Sequence, residues 1–192
     1  LRSPLNRIIN RLDAGLRKID ENNPARNLLE KNIQDMQEII GTFNSILKIS
    51  ELEANTEFRD FKSCDLQKII ENMVEFYEPY AAEKNIVLIN HITSEIILDG
   101  EKNLLTQAFA NIIDNAIKFT AKGGKVDIYC EQNANYTDII IADNGVGIPS
   151  DYRDKVFEKF FRLEQSRHTK GNGLGLSLVE AIARIHNADV IL

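Results

Sequence analysis

The sequence predicts an α+β protein, in which an N-terminal helical hairpin is followed by an α/β sandwich. Three observations predict it. Apolar residues recur every three or four positions through the first fifty or so residues, which is the mark of amphipathic helices. Beyond residue 60, helical stripes alternate with short β-rich runs. Two of those runs, Lys125 to Glu131 and Thr137 to Ala142, flank Gln132-Asn133-Ala134-Asn135 and read as a hairpin of antiparallel strands. Such a mixture places helices on one face of a mixed sheet.

From Leu1 to about Asp20 the stripe is Leu5, Ile8, Ile9, Leu12, Leu16 and Ile19. Glu21-Asn22-Asn23-Pro24 breaks it, because Pro cannot continue a helix interior and Asn tolerates turn geometry. A longer stripe runs from Ala25 to about Glu53 through Leu28, Leu29, Ile33, Met36, Ile40, Phe43 and Leu47. Two helices alone cannot bury these stripes on all sides, so the hairpin is expected to pair with a copy of itself as a four-helix bundle. The polar stretch Glu53 to Asp60 reads as a connector, which divides the chain into a hairpin, 1–57, and a sandwich, 58–192.

Within the sandwich the expected order is a strand near Phe61 to Cys64, a helix from Asp65 to about Glu83 and a strand from Ile86 to His91. A second helix from about Glu101 to Phe119 follows, then the strand hairpin. Asp65 and Asp99 are suited to helix N-caps or approaches. Gly173 to His186 reads as the last helix, and Ala188 to Leu192 as the start of a strand.

The totals bound the function. A net charge of −6 over 192 residues argues against a general nucleic-acid binder, so an anionic ligand must meet local positive charge. Cys64 and Cys130 stand far apart and outside any metal-ligand spacing, which favours packing roles and a reducing, cytoplasmic compartment. No stretch approaches the roughly 20 apolar residues of a membrane span. No membrane contact by this chain is expected, whether or not a longer parent is anchored.

Three short motifs carry the chemistry. In Asn111-Ile112-Ile113-Asp114-Asn115, the residues Asn111, Asn115 and Lys118 project from one side of a helix, flanked by Asp114 and Phe119. A carboxamide oxygen suits a magnesium ion that keeps several waters and bridges phosphates, and a lysine ammonium neutralises phosphate charge. In Asp143-Asn144-Gly145-Val146-Gly147 a carboxylate ends a strand before a tight turn, where it can accept from an exocyclic amine. In Gly171-Asn172-Gly173-Leu174-Gly175 a Gly-rich loop leads into a helix whose unpaired N–H groups favour anions. This loop does not follow a strand, so a dinucleotide-binding fingerprint is excluded. Phe157 to Arg162 and the polar stretch after it, with Arg167, His168 and Lys170, read as a mobile cover with an aromatic anchor.

This ordered set resembles the catalytic and ATP-binding domain of sensor histidine kinases, in the GHKL ATPase superfamily, over about residues 62 to 192. The resemblance implies a GHKL-type sandwich that takes ATP and Mg2+. It implies that Asn115 holds the magnesium and Asp143 reads the adenine amino group. Asn111 and Lys118 then approach the phosphates and Phe119 lies beside the nucleoside. Gly145, Gly147, Gly171, Gly173, Leu174 and Gly175 line the ligand, while Arg162 and Lys170 are further candidates for phosphate contacts. Leu1-Arg2-Ser3-Pro4-Leu5 resembles the end of the family's phosphoacceptor box, which implies that the acceptor His and its acidic neighbour stand just before Leu1. By the same comparison the family's last strands fall beyond Leu192.

The activity so implied is transfer of the ATP γ-phosphoryl to a His on the dimerised hairpin, then to an Asp of a response regulator receiver domain. Ser3, four positions after the expected His, becomes a candidate for dephosphorylating the regulator. His91, His168 and His186 lack the acceptor context and are expected to be structural. Two rivals remain: a GHKL-type ATP hydrolase, and a non-catalytic nucleotide-binding scaffold that dimerises. The first is disfavoured because those relatives carry a Glu at the position of Asn111, and a carboxamide cannot act as a base.

Overall fold

The computed structural model describes residues 2–20, 23–54, 61–133, 135–164, 169 and 171–192. It divides into two compact units, Leu1–Ser50 and Glu51–Leu192.

The first unit holds helix α1 (Arg2–Leu16) and most of helix α2 (Pro24–Ala54). Helix α1 ends four residues short of the expected Asp20, because residues 17–20 form a turn whose N–H groups reach back to Asp13, Gly15 and Leu16. Asn23 opens α2 by accepting the Ala25 N–H on its side-chain oxygen at 2.9 Å, with Pro24 at the first helical position where its missing N–H costs nothing. Part of the hairpin's apolar surface stays in water: Ile8 on α1 and Leu28 and Leu47 on α2, all in the stripe, are exposed, as is Ile39 beside it.

The second unit contains strand β1 (Lys62–Asp65), helix α3 (Leu66–Glu83), strands β2 (Val87–Asn90) and β3 (Ile97–Gly100), and helix α4 (Lys102–Phe119). Strands β4 (Lys125–Gln132) and β5 (Thr137–Asp143), two short 3-10 turns at Ser150–Tyr152 and Lys155–Phe157, and helix α5 (Gly175–Ile185) follow. β1 and β3 form an antiparallel pair, while β2, β4 and β5 form a mixed sheet, parallel between β2 and β4 and antiparallel between β4 and β5. Leu66, Ile69 and Ile70 of α3, Ile113, Ala116 and Ile117 of α4, and Val126 and Ile128 of β4 fill the layer between helices and sheet. The expected α+β sandwich with a mixed sheet is observed.

Capping explains most boundaries. Asp65 caps α3, its carboxylate accepting from the N–H groups of Gln67 and Lys68. Helices α3 and α5 both end in an Asn with left-handed φ, Asn85 at 54° and Asn187 at 52°. In each, the next residue's N–H reaches back to the carbonyl of Ala81 or Ala183 at 2.9 Å, closing a Schellman motif.

Three expectations are corrected. Strand β3 was unforeseen, and it takes Asp99 into the sheet, so Glu101 is the cap of α4, accepting from Asn103 and Leu104 N–H at 3.0 and 3.2 Å. The last helix begins at Gly175, since Gly173 has φ 69°, outside helical geometry. Residues 188–192 form no strand among the described residues.

Candidate nucleotide site

The site is built where α4, the end of β5 and the start of α5 meet. Strand alternation sets the first element: Asp143 lies directly opposite Val126, a core residue, and shares parity with Ile139 and Ile141, which also pack on the core. Asp143 therefore emerges on the helix-covered side of the sheet, the side of α4. The turn after it is drawn tight by its own carboxylate, which accepts the Gly145 N–H at 2.9 Å. Gly145 in turn lies so close to the end of α4 that an added Cβ would meet the Phe119 carbonyl oxygen at 2.3 Å. Asp143, Gly145 and Phe119 are thus held in one corner. Gly147, at φ 67°, completes the turn in a conformation that favours glycine.

The same turn is fastened from the other side by Asn144, whose side-chain oxygen accepts the Lys125 N–H at 2.8 Å. Thr120, at the end of α4, is buried, and its hydroxyl oxygen has no partner among the described residues. Neither residue was anticipated. For Asn144 the signal is its place inside the Asp-Asn-Gly turn, where Asn routinely bonds backbone.

One and two helical turns back along α4, Asn115 and Asn111 face the first residue of α5. A Cβ on Gly175 would lie 3.6 Å from Asn111 Oδ1 and 3.8 Å from Asn115 Nδ2. Helix α5 starts with no side chain capping it, so its first-turn N–H groups point out beside these carboxamides. Positive partial charge at a helix start and neutral oxygen ligands on α4 together suit a magnesium-bridged phosphate. Among the described residues no cluster of three acidic, His or Cys side chains exists to cage a metal. A cation here would be held by carboxamide, water and phosphate oxygens.

The loop before α5 is shaped by Phe160, Arg162 and Asn172. Phe160, at φ 68°, donates its N–H to the Gly173 carbonyl at 2.8 Å, and a Cβ on Gly173 would fall 2.7 Å from the Phe161 carbonyl. Arg162 donates to the carbonyls of Gly171 and Thr169, which makes it a brace of the Gly loop in this structure. Asn172 accepts the Leu174 N–H at 3.2 Å. Leu174 itself is only 1% exposed, so its side chain anchors the loop in the core. Val156 is buried just ahead of the aromatic segment, in which Phe157 and Phe161 are half-buried and Phe160 is 55% exposed.

The structure brings together Asn111, Asn115 and Gly175 on one side of α4's exposed face and Phe119, Asp143 and Gly145 at its end. Lys118 lies on the same face of α4, its ammonium bound to the carboxylate of Asp114. Ser3 has its backbone in α1, but its side chain lies outside the described residues, as do the whole of Arg167, His168 and Lys170. His91 and His186 have structural partners: His91 Nε2 lies 2.9 Å from Asp127, and His186 accepts the Glu101 N–H at 3.0 Å while stacking on Phe61.

Residues 100–192 match the model of the histidine kinase-, DNA gyrase B- and HSP90-like ATPase domain. Over 200 residues the chain is 32% identical to the sensor protein kinase WalK of Staphylococcus haemolyticus, covering 99% of this chain and 32% of that protein. It is 27% identical over 194 residues to the sensor-like histidine kinase SenX3 of Mycolicibacterium smegmatis, covering 100% of this chain and 50% of that protein. Full-length ShkA, solved with AMPPNP, shares the fold at a TM-score of 0.79 and 23% identity, over 97% of this chain and 39% of that one. The chain thus spans a third to a half of the length of these curated relatives.

Proposed function

We propose, from the premise that this chain belongs to the sensor histidine kinases and carries their GHKL-type ATPase domain, that it is the transmitter core of such a kinase. It binds ATP with magnesium and directs the γ-phosphoryl to a His on the hairpin, from which an Asp of a response regulator receives it. The observation that carries this reading is the approach of Gly175 to both Asn111 and Asn115, which sets an uncapped helix start against two carboxamides.

The roles proposed for the single residues are those the resemblance implies, and the geometry supports them as follows. The Asp143 carboxylate accepts from the adenine amino group, with the Phe119 ring beside the nucleoside and Gly145 allowing close backbone approach. The first-turn N–H groups of α5 hold phosphate oxygens, and Asn115 offers a carboxamide oxygen to magnesium. That ion, when bound, neutralises phosphate charge during transfer. Asn111 orients the phosphate end, and as a carboxamide it takes no proton from water, which disfavours plain hydrolysis. Phosphoryl transfer asks mainly for such positioning and water exclusion.

The hairpin supplies the dimer. Exposed Leu28, Ile39 and Leu47 on α2, with a shallow groove lined by Ile39, Phe43 and Ile46 and rimmed by Asp35, Glu38 and Thr42, make a surface that a second copy would bury. Ser3 is proposed to serve regulator dephosphorylation. No described helix is long and apolar enough to cross a membrane, and the core is proposed to work in the cytoplasm.

The test uses the chain extended upstream through its natural sequence, incubated with γ-labelled ATP and magnesium. The expected product is acid-labile, base-stable phosphate on the protein, lost when the upstream His is replaced. Labelling that survives that replacement would overturn the acceptor assignment.

A further inference from the structure

Lys118 is the cation that α4 offers to a phosphate, yet its ammonium is bound to the carboxylate of Asp114, one helical turn back. Both side chains are about three-quarters buried, at 23% and 28% exposure, so solvent and salt screen the pair less than an open surface pair. An acid four positions before a base is the favourable order on a helix. Lys118 nevertheless needs no acid to be stable there, because a cation in the last turn of a helix already meets the negative end of its dipole.

Asp114 stands on the flank of the site. Successive residues advance by about 100° around a helix, which places Asn111, Asn115 and Lys118 on one arc and Asp114 just beyond Lys118, toward α3. There its charge reaches Tyr77, whose hydroxyl is held above its ordinary range first by burial and then by Asp114. In a chain already at −6, a carboxylate touching the phosphate-facing lysine opposes an anionic ligand.

We propose that Asp114 is a positioning and specificity-determining residue of the nucleotide site: it holds Lys118 until a phosphate chain of higher charge displaces it, so that binding proceeds by exchange of one ion-pair partner for another. A triphosphate competes best with a single carboxylate, a diphosphate less well, and an uncharged nucleoside not at all. The proposal rests on the nucleotide reading above.

The test is calorimetric titration of the whole chain and of Asp114→Asn with ATP, ADP and adenosine in the presence of magnesium. Freeing the lysine should tighten ATP by about three- to tenfold, the size expected of a largely buried ion pair near a surface, with a smaller gain for ADP and none for adenosine. The gain should vanish in a Lys118→Met background. An unchanged or weaker ATP affinity in Asp114→Asn, or a gain that survives Lys118→Met, would overturn the exchange, since an ordinary helix-surface pair would leave the ATP-to-adenosine ratio untouched. Failure of the unmodified chain to bind ATP would instead remove the nucleotide reading, and the exchange with it.

Discussion

A methyl group on Gly145 would sit 2.3 Å from the carbonyl oxygen of Phe119, so the turn after β5 and the last residue of α4 are in contact through a position that admits no side chain. The obstruction is backbone, which cannot swing aside. Gly145→Ala should therefore push the Asp143 turn away from α4. Nucleotide affinity should fall at least about tenfold, the cost of losing a hydrogen bond to a charged group, and calorimetry reads it directly.

Gly175 makes the opposite case. An added Cβ meets Asn111 and Asn115 only at ordinary contact distances of 3.6 to 3.9 Å, and the position is helical. Gly175→Ala should hold or raise stability by about 0.5–1 kcal/mol. Nucleotide affinity should nonetheless drop, because the methyl fills the space between carboxamides and helix start. Thermal melting and titration of the same sample would separate the two effects, and a variant that binds as well as the parent would count against this end of the site.

Gly173→Ala is expected to lose on both counts. Its φ of 69° disfavours a side chain, and the Phe160–Phe161 backbone blocks a Cβ at 2.7 Å. A melting temperature several degrees below the parent would register the strain, which belongs to the loop rather than to the ligand.

Asp127 should contribute to the acid limb of stability, alongside the Asp65 cap. Its carboxylate is buried on β4 between His91 Nε2 at 2.9 Å and Lys125 Nζ at 2.8 Å, beside the ring of Tyr129 stacked on His91. The hydrogen bond from His91, then that from Lys125, hold it below the usual carboxylate range. A carboxylate depressed by folding adds stability that is whole above its unfolded pKa, about 4, and is lost as pH falls through the folded value. Urea midpoints for the parent should therefore decline below about pH 4, and Asp127→Asn should be less stable at neutral pH with a flatter acid limb. Equal midpoints for the two proteins at pH 7 would refute the assignment.

Much of this was legible in the residues. The stripes of α1 to α4, the strand hairpin and the Asp65 cap follow from periodicity and short-range polar chemistry, and the three motifs lie on α4, at the end of β5 and just before α5. What escaped depends on long-range pairing. Strand β3 is four residues long and is a strand only because β1 lies alongside it, with Lys62 opposite Gly100. Once Asp99 was in the sheet, the cap of α4 passed to Glu101, a residue type that seldom caps, helped by the Glu101 N–H donating to His186 Nε2, 85 positions away. The site was blurred in the same manner. Leu174 reads as part of a Gly loop, yet packing drew its side chain into the core. Arg162 reads as a phosphate cation, yet the carbonyls of Thr169 and Gly171 took it.

On the reading proposed above, α4, the β5 turn and the start of α5 enclose one nucleotide. Titration of ATP with magnesium into this chain, into Asn115→Ala and into Asp143→Ala tests it most directly. One site per chain is expected, with affinity lost on removing Asn115 and adenine discrimination lost on removing Asp143, both variants remaining folded by circular dichroism. Undiminished ATP binding in both folded variants would contradict it.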